Sequence, residues 1–270
     1  MVVSRSTEHD PCESPHTTPG PCNPESAQRL VLGAPEILNI LCSGQMTEAH
    51  GLMPWSSNYT FLVTVCLEEA SLLAVYKPAR GETPLWDFPQ GTLALREVAA
   101  YLVSQELQWD FVPPTVLRDG LYGPGAVQLF IDADFDQHYF TMREQDAAVF
   151  QRVAAFDIIT NNADRKGGHF LKDAEGRTWV VDHGLTFHPQ PKLRTVVWDF
   201  ADQPISDAIR EDLRRLLDRL HDPDSRLVSQ LSRLISKTEV KVFRRRVGQV
   251  VRASRFPPPG PGRNVPFPPL

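Results

Sequence analysis

Two apolar runs, Phe61–Leu67 and Leu72–Tyr76, stand on either side of Glu68-Glu69-Ala70-Ser71. Both are rich in Val, Leu and aromatic residues, and neither alternates cleanly with polar ones. That arrangement predicts a β-hairpin whose strands are apolar on both faces, with the four intervening residues as its turn. Pro78 ends the second strand because it has no N–H for a ladder.

The rest of the chain extends that start. Val31 to Leu41 reads as a short helix. Leu93–Leu107 puts Leu95, Val98, Ala99, Leu102 and Val103 on one helical stripe. Val112-Pro113-Pro114 breaks the chain. Thr115–Arg118 and Ala126–Ile131 then read as a second hairpin joined through Gly120, Gly123 and Gly125. Thr141-Met142-Arg143-Glu144 has the form of a capping box opening a helix to about Ile159. Phe170–Lys172 and Thr178–Asp182 make a third hairpin around Glu175-Gly176. Helical patterns dominate after Ile205. Strands therefore lie mainly in the first half and helices in the second, the order of an α+β protein with two lobes. The expected division is a disordered leader over 1–28, a strand-rich N-lobe over 29–131, a helical C-lobe over 132–255 and a proline-rich tail over 256–270. The tail reads as a passive extended segment, with docking to a partner that binds such helices as the alternative.

Composition closes off several classes. A formal net charge of −5 does not suit a chain built to coat nucleic acid. No apolar run reaches membrane-spanning length. Cys12, Cys22, Cys42 and Cys66 form no C-x-x-C pair, which fits reduced thiols and a cytoplasmic protein.

The chemistry concentrates in Asn161-Asn162-Ala163-Asp164-Arg165-Lys166-Gly167-Gly168-His169 and Val181-Asp182-His183-Gly184. A helix delivers the chain to the first segment and a strand to the second. The hairpin between them folds the two together, so that two acidic groups meet at a loop-rich surface. Paired carboxylates hold divalent cations and position a hydroxyl, which is what phosphoryl transfer needs. Lys166 supplies a charge for the transferred group. Asp beside Gly is also common in plain turns.

Lys77 closes the strand Leu73–Lys77 and shares a face with Val75. Val75 is placed to cover an adenine ring while Lys77 meets phosphate oxygens, with Glu97 as its anionic partner. A lysine snorkelling at a strand end is the bland alternative. Ser56-Ser57-Asn58-Tyr59, before the first apolar run, offers Ser57 and Asn58 as phosphate donors or forms an ordinary turn. No glycine-rich phosphate loop of standard spacing exists in the chain. The basic residues Lys237, Lys241, Arg244, Arg245, Arg246, Arg252 and Arg255 read as a solvated helix face.

In this order the segments Tyr76-Lys77-Pro78, Arg96–Leu102, Val112–Thr115, Asp164-Arg165-Lys166 and Asp182-His183-Gly184 resemble the phosphatidylinositol 3-/4-kinase-like branch of the protein-kinase fold. The likeness runs from about Ser56 to Phe200 and is closest to type II phosphatidylinositol 4-kinases and their bacterial relatives. It implies a two-lobed kinase-like fold binding ATP and Mg2+ or Mn2+ between the lobes. It further implies that Lys77 contacts phosphates and Glu97 anchors it, and that Gln128 to Ile131, including Phe130, form the adenine-binding hinge. By the same resemblance Asp164 orients the acceptor hydroxyl and Asp182 holds the metal. The family has Asn five residues after the catalytic Asp. Here His169 stands there, and imidazole suits transition metals better than magnesium, so that either His169 joins Asp182 in binding manganese or a similar ion, or it serves another role, or metal binding is weakened.

The expected function is transfer of the ATP γ-phosphate to an unidentified hydroxyl acceptor: a lipid, a protein or a small molecule. Two other readings use the same residues. One is a nucleotide-binding pseudokinase, motivated by His169. The other is a metal-dependent hydrolase built from His169, His183 and His188 with the two aspartates.

Overall fold

The structure is a computed structural model and describes residues 32–53 and 58–270. The expected leader over 1–28 lies outside them, as does Ser57. The chain divides into two units. One comprises the residues up to Gly81 with Pro114–Phe130, the other Glu82–Pro113 with Ile131–Leu270.

The first unit is a sheet covered by a helix. Its elements are α1 (Ala34–Ser43), β1 (Gln45–Leu52), β2 (Phe61–Leu67), β3 (Ala70–Pro78), β4 (Thr115–Gly120) and β5 (Gly123–Leu129). The strands run in the order β1-β2-β3-β5-β4, and each neighbouring pair is antiparallel. Val63, Val65, Ala74, Tyr76 and Val127 bury themselves with Ile40 and Leu41 of α1. Alternation along β3 then leaves Val75 and Lys77 half-buried on the opposite face. Arg118 caps the end of α1, donating from Nη1 to the carbonyls of Leu41 (2.9 Å) and Gly44 (2.6 Å).

Both hairpins turn more tightly than the sequence suggests. Ala70 and Ser71 belong to β3, paired with Leu67 and Cys66, so only Glu68 and Glu69 turn, with Glu68 at φ 54°. Gly120, Gly123 and Gly125 belong to β4 and β5, and Leu121-Tyr122 makes the turn. Gly125 answers a packing demand: a Cβ there would lie 2.5 Å from the carbonyl oxygen of Lys77 and 2.8 Å from the Tyr76 ring. Strand β1 was not foreseen. Its sequence, QMTEAHGL, lacks an apolar run, and its pairing with β2 is irregular at two points.

The second unit holds α2 (Leu93–Glu106), α3 (Tyr139–Met142), α4 (Ala147–Thr160), the hairpin β6 (Phe170–Lys172) and β7 (Thr178–Val180), then α5 (Asp207–His221), α6 (Arg226–Leu234) and α7 (Lys237–Arg252). Helix α2 groups here, whereas the sequence reading placed it within 29–131. A buried ion pair explains the difference. Arg96 of α2 donates from Nη2 to Glu239 Oε1 of α7 at 2.6 Å and from Nη1 to the Thr186 carbonyl at 2.6 Å. Its guanidinium lies 5.0 Å from the Phe88 ring centroid.

The helix expected to open at Thr141 begins instead at Ala147. Thr141 belongs to α3, where its Oγ1 accepts the His138 N–H at 3.0 Å. Asp146 precedes Ala147, but its carboxylate accepts from Lys172 Nζ and Thr178 Oγ1, both at 2.8 Å. A capping box of the Ser-x-x-Glu form is on α7, where Ser236 and Glu239 bond reciprocally. The basic face of α7 is not wholly solvated: Arg246 is half-buried and donates to the carbonyls of His188 and Pro189.

Nor is the tail passive. Phe256 is buried 6.1 Å from the Phe200 ring, Pro266 is buried, and Gly167 donates its N–H to the Pro269 carbonyl at 2.7 Å. Among the described residues no helix is long and apolar enough to cross a membrane.

Candidate active site

Helix α4 sets the site. It ends at Thr160 because Asn161 adopts the left-handed conformation, φ 56°, which Asn tolerates better than most residues. The Asn161 amide then ties down the facing loop. Its Nδ2 donates to the carbonyls of His188 (2.9 Å) and Gln190 (2.7 Å), and its Oδ1 accepts the Lys192 N–H at 2.8 Å. Asn162 works in the other direction. Its Nδ2 donates back to Asp157 Oδ1 at 3.1 Å, while its Oδ1 accepts the Asp164 N–H at 3.0 Å. That last bond is an Asx turn, and it fixes the backbone of Asp164.

Beneath the loop lies a fully buried ion pair. Arg165 Nε donates to both oxygens of Asp157, at 3.2 and 3.3 Å, and both side chains are 0 % exposed. Thr195 Oγ1 donates to Asp157 Oδ2 at 3.0 Å. Arg165 Nη1 donates to the Val181 carbonyl at 2.6 Å. One guanidinium thus joins the Asp164 loop to the residue preceding Asp182.

Above it the side chains face outward. Lys166 Nζ lies 3.3 Å from Asp164 Oδ2, with side-chain exposures of 26 % and 32 %. His169 Nε2 lies 3.3 Å from Asp182 Oδ2. Burial pushes the Asp164 carboxyl above its ordinary value. Lys166 pulls it down, and the negative charge of Asp182 pushes it up again. Asp182 is itself at φ 62°, a conformation that turns its carboxylate out of the strand line. His169 Nδ1 accepts the Lys166 N–H at 3.3 Å, which places the ring proton of neutral His169 on Nε2, facing Asp182. Glu97 of α2 holds the second loop: its Oε2 accepts the His183 N–H at 2.9 Å.

The structure therefore gathers Glu97, Asp164, Lys166, His169 and Asp182 within the second unit. Val75, Lys77, Asn58, Gln128 and Phe130 belong to the first. There Val75 faces Gln128 and Lys77 faces Ala126 across the β3/β5 ladder. Asn58 is half-buried just before β2. Two expected hinge groups are already engaged. The buried Gln128 donates from Nε2 to Thr115 Oγ1 at 2.8 Å, and the Phe130 N–H donates to the Leu73 carbonyl at 3.0 Å.

Among the described residues no group of three or more His, Cys, Asp or Glu converges as a metal site. The donor set still suits a magnesium-like ion. Such an ion takes one or two carboxylates and completes its shell with water and substrate phosphate, and Asp182 is half-exposed. Sequence reasoning missed Asp157, Asn162 and Thr195 as the frame of the site. The available signal was a lone acid in the apolar stretch Val153-Ala154-Ala155-Phe156-Asp157-Ile158-Ile159, where an unpaired charge is untenable.

The fold is that of a kinase. The chain superposes on the proinflammatory kinase CtkA of Helicobacter pylori with a TM-score of 0.50, covering 78 % of this chain and 94 % of that one. At 10 % identity the likeness shows the fold alone. The chain belongs to the family of Protein Rv2133c of Mycobacterium tuberculosis, to which it is 38 % identical over 264 residues, covering 85 % of this chain and 94 % of the relative. More distant similarity reaches the phosphatidylinositol 4-kinases gamma 4 of rice (25 % over 219 residues) and Arabidopsis thaliana (29 % over 155 residues). Those matches span 67 % and 47 % of this chain but only 39 % and 27 % of the plant proteins. No protein-family model matches the chain.

Proposed function

We propose that the chain is an ATP-dependent phosphotransferase of the phosphatidylinositol 3-/4-kinase-like type. The observation that carries this reading is the tie, through the buried Arg165 guanidinium, between the Asp164 loop and the residue before Asp182, with Lys166 beside Asp164 and the Asp182 charge acting on its carboxyl. Distant similarity to proteins named as phosphatidylinositol 4-kinases, and a kinase fold, support it.

In this reading Asp164 accepts a hydrogen bond from the acceptor hydroxyl and orients it in line with the γ-phosphate. Its raised carboxyl makes it a better proton acceptor than an ordinary aspartate. Lys166 compensates charge on the transferred group. Asp182 is the residue that would hold Mg2+ or Mn2+; a bound ion neutralises phosphate charge. Glu97 positions the Asp182 loop through the His183 amide.

A second reading, a nucleotide-binding pseudokinase, is favoured by one detail. His169 stands where a metal-binding Asn is expected, and it is engaged through both ring nitrogens, with Lys166 N–H and with Asp182. Thermal-shift measurements with a nucleotide panel in Mg2+ and in Mn2+ test the proposal. ATP should stabilise the wild type only with metal, and Asp182→Ala should lose that shift. No shift with any nucleotide rejects both readings. A shift without turnover in either metal selects the second.

A further inference from the structure

The segment from Asn264 to Leu270 lies along the loop that carries Asp164 and Lys166. Three main-chain hydrogen bonds hold it. The Asn264 carbonyl accepts from the Thr195 N–H at 3.0 Å and from Trp198 Nε1 at 3.1 Å, and the Pro269 carbonyl accepts from the Gly167 N–H at 2.7 Å. Thr195 is the residue that also bonds Asp157, and Gly167 directly follows Lys166. The segment thus touches the site's frame at one end and its reactive loop at the other.

Gly167 makes the approach close. A Cβ there would lie 2.7 Å from the Phe140 ring and 3.3 Å from Leu270 Cδ1. Yet the segment is lightly anchored. Pro266 is buried, while Val265, Phe267 and Leu270 are 41 %, 79 % and 56 % exposed. Few buried apolar contacts and a handful of backbone bonds mark a segment that opens at low cost. Proline's fixed φ leaves a proline-rich chain less freedom to lose on binding, and bonding to a peptide's main chain is a recurring way to recognise it.

We propose that the surface formed by Gly167, Phe140, Thr195 and Trp198 is a binding site for a proline-rich polypeptide, occupied here by the chain's own residues 264–270. Occupied this way, it covers the side of the catalytic loop next to Lys166. The inference rests on the phosphotransferase reading only in implying that such a polypeptide controls, or presents, the acceptor.

The test inserts a protease site at Pro261, which is exposed between Gly260 and Gly262, and cuts the folded, full-length protein. A fluorescent peptide of residues 264–270 is the probe. The cut protein should bind it saturably, the uncut protein at least tenfold more weakly, and unlabelled peptide should displace it. Trp198→Phe, which removes one donor, should weaken binding to the cut protein about threefold or more. Equal binding to cut and uncut protein, no binding to either, a cut segment that excess peptide does not displace, or unfolding upon cutting would each overturn the proposal. ATP turnover, followed in parallel, should rise on cutting and fall on adding peptide. Peptide binding with no nucleotide effect in any arm retains the groove and removes the phosphotransferase reading instead.

Discussion

Two carboxylate–cation pairs sit within ten residues of each other and do opposite work. Asp157 and Arg165 are fully buried, and every oxygen of the carboxylate has a donor. Asp164 and Lys166 are about a quarter to a third exposed and meet at 3.3 Å. The buried pair has no route to a substrate, but its guanidinium reaches the Val181 carbonyl and so sets where Asp182 stands. The outer pair adds little to stability, since ion pairs in partial contact with water contribute about 0–1 kcal/mol. Burial and Asp182 lift the Asp164 carboxyl despite the lysine, which in the proposed phosphotransfer makes it a better proton acceptor. Similar chemistry thus becomes internal scaffold or accessible surface according to how much water reaches it.

The sharpest way to break that contrast is to disable each pair in turn. Arg165→Met leaves a buried carboxylate without its cation and should cost about 3–5 kcal/mol. In thermal unfolding that corresponds to a Tm lower by roughly 6–20 °C for a domain of this size. If Tm falls by less than a couple of degrees, the pair is not the scaffold. Asp164→Asn should do the reverse. Phosphotransfer should drop about 10²–10⁴-fold, the usual worth of a positioned acid or base, while Tm holds or rises slightly because a disfavoured charge is gone.

A pH titration separates the pairs further. Arg96 and Ser236 hold the Glu239 carboxyl below its ordinary value in spite of burial. A depressed carboxyl contributes stability above its unfolded value and loses it as pH falls through the folded one. Acid unfolding of the wild type should therefore have a component below the usual carboxylate range that Glu239→Gln removes. The smallest expected effect is on the acid limb of the rate profile. Asp164 must be ionised to accept a proton, and its raised value puts the rise in activity above the ordinary aspartate range. Lys166→Met, which removes the charge that lowers the Asp164 carboxyl, should move that limb up, read from initial rates across pH. An unmoved limb would show that the lysine charge does not act on Asp164.

Much of the frame was legible in the residues. Phe61–Leu67 announced strand β2, Pro78 the end of β3, and Asp164 and Asp182 two polar loops, because apolar runs, a missing N–H and acids near glycine are local signals. What stayed hidden depended on distant partners. Strand β1 is too polar to declare itself and exists through its ladder with β2. Thr141 looked like a helix cap until His138 claimed its hydroxyl, and Asp146 was taken by Lys172 and Thr178. The grouping of α2 followed from Arg96 meeting Glu239, 143 positions away. The tail looked inert since proline-rich composition says how a segment extends, not what its carbonyls touch.

The account stands most directly on ATP consumption by the wild type and by Asp164→Asn, measured with Mg2+ and with Mn2+ on proteins shown to unfold at the same temperature. Production of ADP by the wild type, reduced about a hundredfold or more in the variant, is the result expected. Equal rates in the two proteins, or no turnover by the wild type in either metal, would contradict it.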